Sequence, residues 1–282
     1  MKLLVDVGNS RVKWGFSTAA GLIEPGEARH DEAEELRALL DAQRAPDEIL
    51  MANVAGAGAG ARLAARLEER FGVSPVFARS AATGAGVRSG YADPSQLGVD
   101  RWLAICAAFA RYRAPVCVVD TGTATTIDVV NGRGEHQGGL ILPGIALMQS
   151  SLLGGTGDLA RLSASKRAAG KGAASPDAGP GSGGRALALG RDTAAAIRDG
   201  AVQATACLIR SCLSGMGDTS SPGEGAEILV LTGGAAPLLE AALLRMGGMA
   251  GSGRVPGFRL EHRPWLVLEG LALDPACFGV DP

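Results

Sequence analysis

The sequence predicts an α/β protein built from two similar units, and three observations support this prediction. Patterns typical of strands and helices alternate along the 282 residues, as they do in chains that fold around layered sheets. Residues 115–120 form an unbroken apolar run that is typical of a strand buried on both faces. An apolar strand followed by Asp, one further residue and Gly occurs twice, at Asp6 and at Asp120. We therefore expect two repeated units, at residues 1–113 and 114–282.

Strand patterns open the first unit, and amphipathic helical patterns alternate with further strands. Alternating apolar residues predict strands, whereas leucines at helical spacing among charged residues predict helices. The predicted strands are residues 2–7, 11–17, 49–54 and 73–77. The predicted helices are residues 31–44, 61–71 and 100–111, and a turn-rich segment covers 79–98.

The second unit has the same alternation. Its predicted strands are residues 115–120, 124–130, 138–144 and 228–232. Its predicted helices are residues 145–153, 192–213 and 237–246. Residues 163–186 are Gly, Ala, Ser, Pro and basic residues with almost no large apolar side chain, which predicts a flexible surface loop.

The composition argues against several functional classes. Lys and Arg number 27 and Asp and Glu number 29, so the net charge of −2 lacks the basic excess of a nucleic-acid-binding protein. No apolar run has the length that a membrane span needs. No export signal is readable, so we expect a cytoplasmic protein. The histidines and cysteines show no metal-ligand spacing, so no His/Cys metal site is expected.

The two Asp-x-Gly segments are the first candidate site. A tight glycine turn exposes consecutive backbone N–H groups that can hold phosphate oxygens. Asn9, Ser10, Thr121 and Thr123 add side-chain donors to the two turns. The acids repel phosphate, so they are suited to hold Mg²⁺, its waters or another cation. A single Asp-x-Gly is usually an ordinary turn, whereas two in equivalent strand contexts indicate a phosphate site.

A second candidate site lies at residues 98–101, where a loop leads into a helix. Asp100 is either a cap for that helix or a general base for a hydroxyl nucleophile. A carboxylate beside an arginine is a weak base, which suffices in phosphoryl transfer because positioning carries most of that catalysis. Arg101 is either a surface charge or a fork that binds a substrate carboxylate. Tyr91, one of two tyrosines, has the plain interpretation of a packed ring in a turn.

Two further segments also have a plain and a functional interpretation. Thr232-Gly233-Gly234 follows a strand and is either a simple turn or a place where adenine or ribose approaches the backbone. Asp192 and Thr193 open a helix, and both are natural N-cap residues.

Taken together, these motifs resemble the type III pantothenate kinase family, which includes the Bvg accessory factor proteins. The resemblance runs from residue 3 to about residue 240. It rests on the segments Asp6-x-Gly8-Asn9-Ser10, Tyr91-x-x-Pro94-x-x-Leu97-Gly98-x-Asp100-Arg101, Asp120-x-Gly122-Thr123-Ala124-x-Thr126-Ile127-Asp128, Gly138-Gly139, Pro143-Gly144, Thr193 and Thr232-Gly233-Gly234.

The resemblance implies a fold, a reaction and a set of partners. The implied fold is two ribonuclease-H-like domains of the acetate and sugar kinase, heat-shock-70 and actin superfamily, with a nucleotide cleft between them. The implied reaction is ATP-dependent phosphorylation of pantothenate to 4′-phosphopantothenate, the first step of coenzyme A synthesis. Mg²⁺ and a monovalent cation, K⁺ or NH₄⁺, would be required, and the protein would be a homodimer.

The resemblance also implies residue roles. Asp100 would accept the proton of the substrate hydroxyl, Asp120 would bind the monovalent cation, and Asp6 would hold Mg²⁺ through water. The implied ATP contacts are Asp6, Val7, Gly8, Asn9, Ser10, Arg11, Val12, Lys13, Thr123, Gly233 and Gly234. The implied substrate contacts are Tyr91, Gly98, Val99, Asp100, Arg101 and Thr193, the last of these across the dimer interface.

Two other functions fit the same cleft. One is a kinase or phosphatase for a different hydroxylated metabolite, and the other is a regulatory accessory protein that binds nucleotide without catalysis. The acids at positions 6, 100 and 120 favour catalysis, because a pure binding module has no need of a base at position 100.

Overall fold

A computed structural model describes residues 1–29, 33–155, 189–217, 227–246, 254–255 and 258–280. In chain order the strands are β1 (Lys2–Val7), β2 (Arg11–Thr18), β3 (Gly21–Arg29), β4 (Glu48–Asn53), β5 (Val76–Arg79), β6 (Thr83–Gly84), β7 (Val87–Arg88), β8 (Val116–Thr121), β9 (Ala124–Val130), β10 (His136–Pro143), β11 (Glu227–Thr232), β12 (Arg254–Val255), β13 (Phe258–His262) and β14 (Gly279–Val280). The helices are α1 (Ala33–Leu40), α2 (Ala57–Phe71), α3 (Val99–Tyr112), α4 (Ile145–Gly155), α5 (Thr193–Gly217), α6 (Ala236–Met246) and α7 (Leu266–Leu271), with 3₁₀ turns at Pro94–Gln96 and Pro275–Cys277. The loop predicted at 163–186 lies outside the described residues.

Two six-stranded sheets repeat one topology. The strand order is β14-β5-β4-β1-β2-β3 in the first sheet and β10-β9-β8-β11-β13-β12 in the second. The opening strand of each unit, β1 or β8, pairs antiparallel with the next strand and parallel with β4 or β11. Five strands of one sheet therefore have equivalents in the other, and the prediction of two similar α/β units is confirmed.

Helix α3 lies between the two sheets and fixes their relative position. It is buried continuously from Arg101 to Phe109, and its core contacts include Leu4 of β1 and Val118 of β8. Helix α7 packs against α3 in the same cluster. The start of α3, which carries Asp100, is therefore held between the opening strands of both sheets.

The outer face of each sheet is covered by further helices. In the first unit α2 turns Leu63 and Leu67 towards the sheet, as its leucine spacing predicts. In the second unit α5 buries Val202 and Ile209, and α6 packs beside it. Burial of these apolar faces removes them from water and so stabilises each layer.

The C-terminal segment returns to the first sheet. Strand β14 pairs antiparallel with β5, and α7 contacts β1 and β4. The boundary predicted between residues 113 and 114 falls in the connection from α3 to β8, and it stays a prediction. Residues 279–280 nevertheless belong to the first sheet by hydrogen bonding.

Strand β3 has no counterpart among the predicted elements. Pro25 and Gly26 interrupt its pattern, but β3 is an edge strand, where proline is tolerated because one side of the strand needs no ladder donor. Gly26 is required by packing, since a Cβ atom there would lie 2.5 Å from the ring of Trp14. The local sequence pattern therefore does not predict β3, which is stabilised by packing against the rest of the sheet.

Candidate active site

The two Asp-x-Gly loops, at the carboxyl ends of β1 and β8, touch each other. Ser10 Oγ lies 2.6 Å from Thr123 Oγ1, so the two hydroxyls form a hydrogen bond between the loops. The first loop is closed by the Gly8 N–H, which donates to the carbonyl oxygen of Arg11 at 3.0 Å. Asn9 and Ser10 are exposed at its tip. The predicted phosphate loops are therefore adjacent.

Only some side chains of residues 6–13 are available to a ligand in the cleft. Val7 and Val12 are buried in the core of the first unit, so a ligand in the cleft can contact them only through their backbone. Arg11 forms an ion pair with Glu27 of β3. The side chains of this run that remain suited to phosphate chemistry are Asp6, Asn9, Ser10 and Lys13.

Asp6, Asp100 and Asp120 lie close enough to influence one another's ionisation. Burial, reinforced by the charges of Asp100 and Asp120, raises the pKa of Asp6 to about 7 against the opposing effect of Lys13. Burial raises the pKa of Asp120 to about 6, with Lys13 lowering it and Asp100 raising it. Burial also raises the pKa of Asp100, although the Arg101 backbone N–H and guanidinium act to lower it. Three carboxylates and one ammonium group therefore share one cleft.

Lys13 is held at this cleft from two directions. It is the cross-strand partner of Asp6 in the β1–β2 pair. Its Nζ donates to the carbonyl oxygen of Pro264 at 3.1 Å and lies 5.8 Å from the centroid of the Trp265 ring. The C-terminal segment thus helps to orient the ammonium group that partly balances the carboxylates.

The charge imbalance in the cleft suits a bound cation. An added cation would favour the ionised carboxylates whose pKa values burial has raised. Within the described part of the chain, no three His, Cys, Asp or Glu residues are grouped so that they could ligate a metal together. Mg²⁺ commonly keeps several waters and binds one or two carboxylates together with substrate phosphates. The residues present therefore fit a cation shared with phosphate and water.

The turn after β11 packs directly on the second loop. Gly233 has φ +86°, and a Cβ atom there would overlap the Thr121 carbonyl oxygen and lie 2.5 Å from Asp120 Oδ1. The Ala235 N–H donates to the Thr121 carbonyl oxygen at 3.1 Å. Gly234, in contrast, has open space around the position of a Cβ atom. Its backbone is therefore open to a flat ligand.

The first turn of α3 shows whether Asp100 caps this helix. Gly98 is the N-cap, without a side-chain cap, and its carbonyl oxygen accepts a hydrogen bond from the Trp102 N–H at 2.9 Å. Val99 packs against the central core. Asp100 is therefore not the helix cap, and its Oδ1 accepts a local hydrogen bond from the Arg101 N–H at 2.8 Å.

Arg101 is buried, at 6% exposure, and its fork is already engaged. Nε donates to Asp128 Oδ2 at 2.9 Å and Nη2 donates to Asp128 Oδ1 at 2.6 Å. Nη1 donates to the Tyr91 hydroxyl at 3.0 Å. Although burial acts to lower it, the pKa of Arg101 is held above its ordinary value by Asp128. The interpretation of Arg101 as a surface charge needs correction, because its side chain is buried. Its contact with a substrate carboxylate stays a prediction.

Comparison with known proteins decides the family. A family model described as type III pantothenate kinase matches residues 2–214, well over half of the chain. The chain belongs to the type III pantothenate kinase family. A type III pantothenate kinase of Aromatoleum aromaticum is 36% identical over 273 residues, covering 97% of each chain. One from an Azoarcus species is 37% identical and covers 100% of this chain and 93% of the relative.

Solved structures share the fold. A Baf family protein from Campylobacter jejuni matches with a TM-score of 0.53 and 20% identity, covering 95% of this chain and 94% of that one. The ethanolamine utilization protein EutJ from Carboxydothermus hydrogenoformans matches with a TM-score of 0.50 and 11% identity, covering 96% and 89%. The chain therefore shares the fold of these two proteins, in agreement with the two α/β units described above. In the ranges that the structure covers, no helix has the length and apolarity to cross a membrane.

Thr193, another substrate contact expected for the family, lies at the start of a helix of the second unit. Thr193 is the exposed first residue of α5. The side chain of Asp192 accepts a hydrogen bond from the Ala195 N–H at 3.0 Å, so Asp192 caps this helix. Among the described residues no hydrogen bond joins Thr193 to the cleft. Its role in substrate binding therefore stays a prediction.

Two residues of the site, Asp128 and His136, have no role predicted from the sequence. Asp128 closes the motif segment that begins at Asp120, and His136 begins β10. Both side chains are buried and in contact, with His136 Nε2 3.0 Å from Asp128 Oδ1. An acid within an otherwise apolar strand pattern is the available signal, because a buried carboxylate needs a partner.

Proposed function

We propose that the chain transfers the γ-phosphoryl group of ATP to the 4′-hydroxyl of pantothenate, the first step of coenzyme A synthesis. The observation that carries the proposal is the convergence of Asp6, Asp100 and Asp120 beside two adjoining phosphate loops, in a chain of this family. A cleft built only to bind nucleotide would have no use for a buried acid at the start of α3.

The geometry supports a division of labour between binding and proton transfer. The backbone N–H groups and hydroxyls of the two loops, including Ser10 and Thr123, would hold the ATP phosphates. Asp100 would accept the proton from the 4′-hydroxyl, and burial makes its carboxylate a stronger base than an exposed one. Lys13 would stabilise negative charge on the phosphates. Positioning of this kind supplies most of the catalysis in phosphoryl transfer.

Two cations would complete the site. Asp6 would hold Mg²⁺ through water, and Asp120 would bind K⁺ or NH₄⁺. When bound, these cations would offset negative charge on the phosphates and on the buried carboxylates. The support for this assignment is the excess of carboxylates over ammonium groups, together with the raised pKa values of Asp6 and Asp120.

The protein would act as a homodimer in the cytoplasm. Large apolar side chains are exposed on β10 and α4 and just before α5, with Ile141 at 65% exposure. The others are Leu140, Leu147, Leu152 and Leu189. Helix α4 packs against α5, so an interface over this surface would be continuous with the helix that carries Thr193. This arrangement is consistent with the substrate contact expected across the dimer.

A substrate panel tests the proposed function. The purified chain would be supplied with ATP, Mg²⁺ and K⁺, and with pantothenate, glycerol or a hexose as acceptor. We expect ADP formation with pantothenate, increased by K⁺ or NH₄⁺ over Na⁺. Turnover of another alcohol in preference to pantothenate would favour the kinase for a different metabolite. Nucleotide binding without turnover of any acceptor would favour the accessory protein.

A further inference from the structure

A buried network of charged and polar side chains surrounds Asp128 and includes Arg101, one of the expected substrate contacts. The Asp128 carboxylate is 1% exposed and interacts with three nitrogens. Arg101 supplies two of them, at 2.9 and 2.6 Å, and His136 supplies the third, Nε2, at 3.0 Å. Charge-assisted hydrogen bonds of this length fix both partners strongly in a low-dielectric interior.

His136 contacts Asp128 through one edge of its ring and approaches Gly90 through another. A carboxylate oxygen accepts, so His136 Nε2 donates to Asp128 Oδ1 at 3.0 Å. The Gly90 backbone nitrogen lies 3.5 Å from Nδ1. The His136 ring also stacks on Tyr91, with centroids 5.9 Å apart and planes at 10°. One imidazole therefore orients both the carboxylate and the phenol.

The backbone of Gly139 lies directly against the Asp128–Arg101 pair. A Cβ atom on Gly139 would overlap the Asp128 carboxylate and Arg101 Nη2. Gly139 is the cross-strand partner of Asp128 in the β9–β10 pair. Close backbone approach at this glycine is what allows the carboxylate and guanidinium to meet side by side.

We propose that Asp128 and His136 are positioning residues for the acceptor substrate. Asp128 holds Nε and Nη2 of Arg101, which leaves Nη1 and the Tyr91 hydroxyl in one fixed orientation. His136 stacks on the Tyr91 ring and forms a hydrogen bond with Asp128 through Nε2. The two residues act on the substrate through Arg101 and Tyr91, which follow and precede the proposed base Asp100. This inference rests on the proposed function.

Kinetic constants measured separately for the two substrates test the proposal. Asp128→Asn keeps the shape but loses the charge, and His136→Phe keeps the stacked ring but loses the hydrogen bond. We expect each variant to raise the KM for pantothenate about tenfold or more while the KM for ATP stays near the wild-type value. His262→Phe, at an exposed histidine of β13, is the matched control and should change neither constant.

The outcomes separate positioning from a purely structural role. Equal losses for both substrates, or unchanged constants in folded variants, would overturn the proposal. If Asp128→Asn does not fold, two milder variants replace it: Asp128→Glu retains the carboxylate acceptor, and His136→Asn retains a donor. We expect each to raise the KM for pantothenate, but by less than His136→Phe does. Full wild-type constants in His136→Asn would contradict a role for the stacked ring.

A spectroscopic measurement distinguishes failure of the positioning role from failure of the proposed function. A wild-type chain that phosphorylates no pantothenate would overturn the function itself. In either case, ¹⁵N spectra of the histidine side chains report the protonated nitrogen of His136 directly. We expect the proton on Nε2, with a hydrogen-bonded shift that is lost in Asp128→Asn. A proton on Nδ1 alone would refute the proposed network.

Discussion

The hydroxyl oxygens of Ser10 and Thr123 lie 2.6 Å apart, although the two residues follow the opening strands of different sheets. Their hydrogen bond joins the tips of two loops that have equivalent places in the repeated topology. A hydroxyl both donates and accepts, so each can exchange this partner for a phosphate oxygen. The repeat in the sequence thus has a direct structural counterpart, two adjacent loops that face one ligand.

Replacement of Asp100 tests its role as the base. Asp100→Asn retains the size of the side chain but removes the proton acceptor, so we expect kcat to fall about 10²–10⁴-fold. Binding of ADP, measured by calorimetry, should change little. Asp93→Asn alters an exposed cap of a 3₁₀ turn and serves as the control. Near-normal turnover of Asp100→Asn would exclude Asp100 as the base.

The raised pKa of Asp6 predicts how stability depends on pH. The pKa is about 7 in the folded chain against an ordinary value of 3.8, so the folded state binds the proton more tightly than the unfolded state. The stability contributed by protonated Asp6 is therefore fully present below pH 3.8 and is lost as the pH rises through about 7. Asp120, with a pKa of about 6, acts in the same direction.

Asp6→Asn should remove the part of this pH dependence that Asp6 contributes. Thermal unfolding of the variant and the wild type would be compared between pH 5 and pH 8 without nucleotide. As the pH rises, we expect the free energy of unfolding of the variant to increase relative to that of the wild type, by on the order of a few kcal/mol. Asp41→Asn, at an exposed position, controls for the loss of one negative charge. Parallel curves for Asp6→Asn and the wild type would contradict the raised pKa.

Adjacent glycines provide a matched test of the turn after β11. Gly233→Ala forces a Cβ atom into the Thr121 carbonyl oxygen at a positive φ, at a cost of about 1–3 kcal/mol. We expect it to weaken ADP binding about tenfold or more, because the turn and Asp120 must move apart. The Cβ atom that Gly234→Ala adds would have open space around it, so the ADP affinity of this variant should stay closer to that of the wild type. Equal affinities in the two variants would show that the turn does not shape the nucleotide site.

A charge on the exposed apolar surface should prevent dimer formation. Ile141 is 65% exposed on β10, and Ile141→Asp would bury a carboxylate in the proposed interface. Light scattering after size exclusion should give a dimer mass for the wild type and a monomer mass for the variant. Leu238→Asp, at an exposed leucine of α6, should remain dimeric. A monomeric wild type would rule out the homodimer.

The sequence predicts those parts of the fold that depend on local pattern. Strands β1 and β8 have continuous apolar runs and end in recognisable Asp-x-Gly turns, so the repeat and the two loops could be predicted together. The edge strand β3 could not, because Pro25 and Gly26 break its alternation and only the ring of Trp14 explains the glycine. The short elements β14 and α7 depend on contacts with the first unit, which are distant in sequence.

The acceptor side of the site shows the same limit. Arg101 was recognisable as a functional residue from its place in the motif, but its partner was not. Asp128 is 27 residues away and His136 is a further eight. The pairing of β9 with β10 brings Asp128 and His136 together, and the packing of α3 against β9 brings Arg101 to Asp128. The sequence therefore did not reveal the ion pair with Asp128, which offsets the cost of burying the guanidinium.

The fate of the γ-phosphoryl group tests the central claim most directly. The purified chain would be incubated with Mg²⁺, K⁺, pantothenate and ATP labelled with ¹⁸O in the γ-phosphoryl oxygens, and the products analysed by mass spectrometry. We predict 4′-phosphopantothenate that carries the labelled phosphoryl group, bonded through the unlabelled oxygen of the alcohol. Labelled inorganic phosphate with no phosphorylated pantothenate would contradict the account.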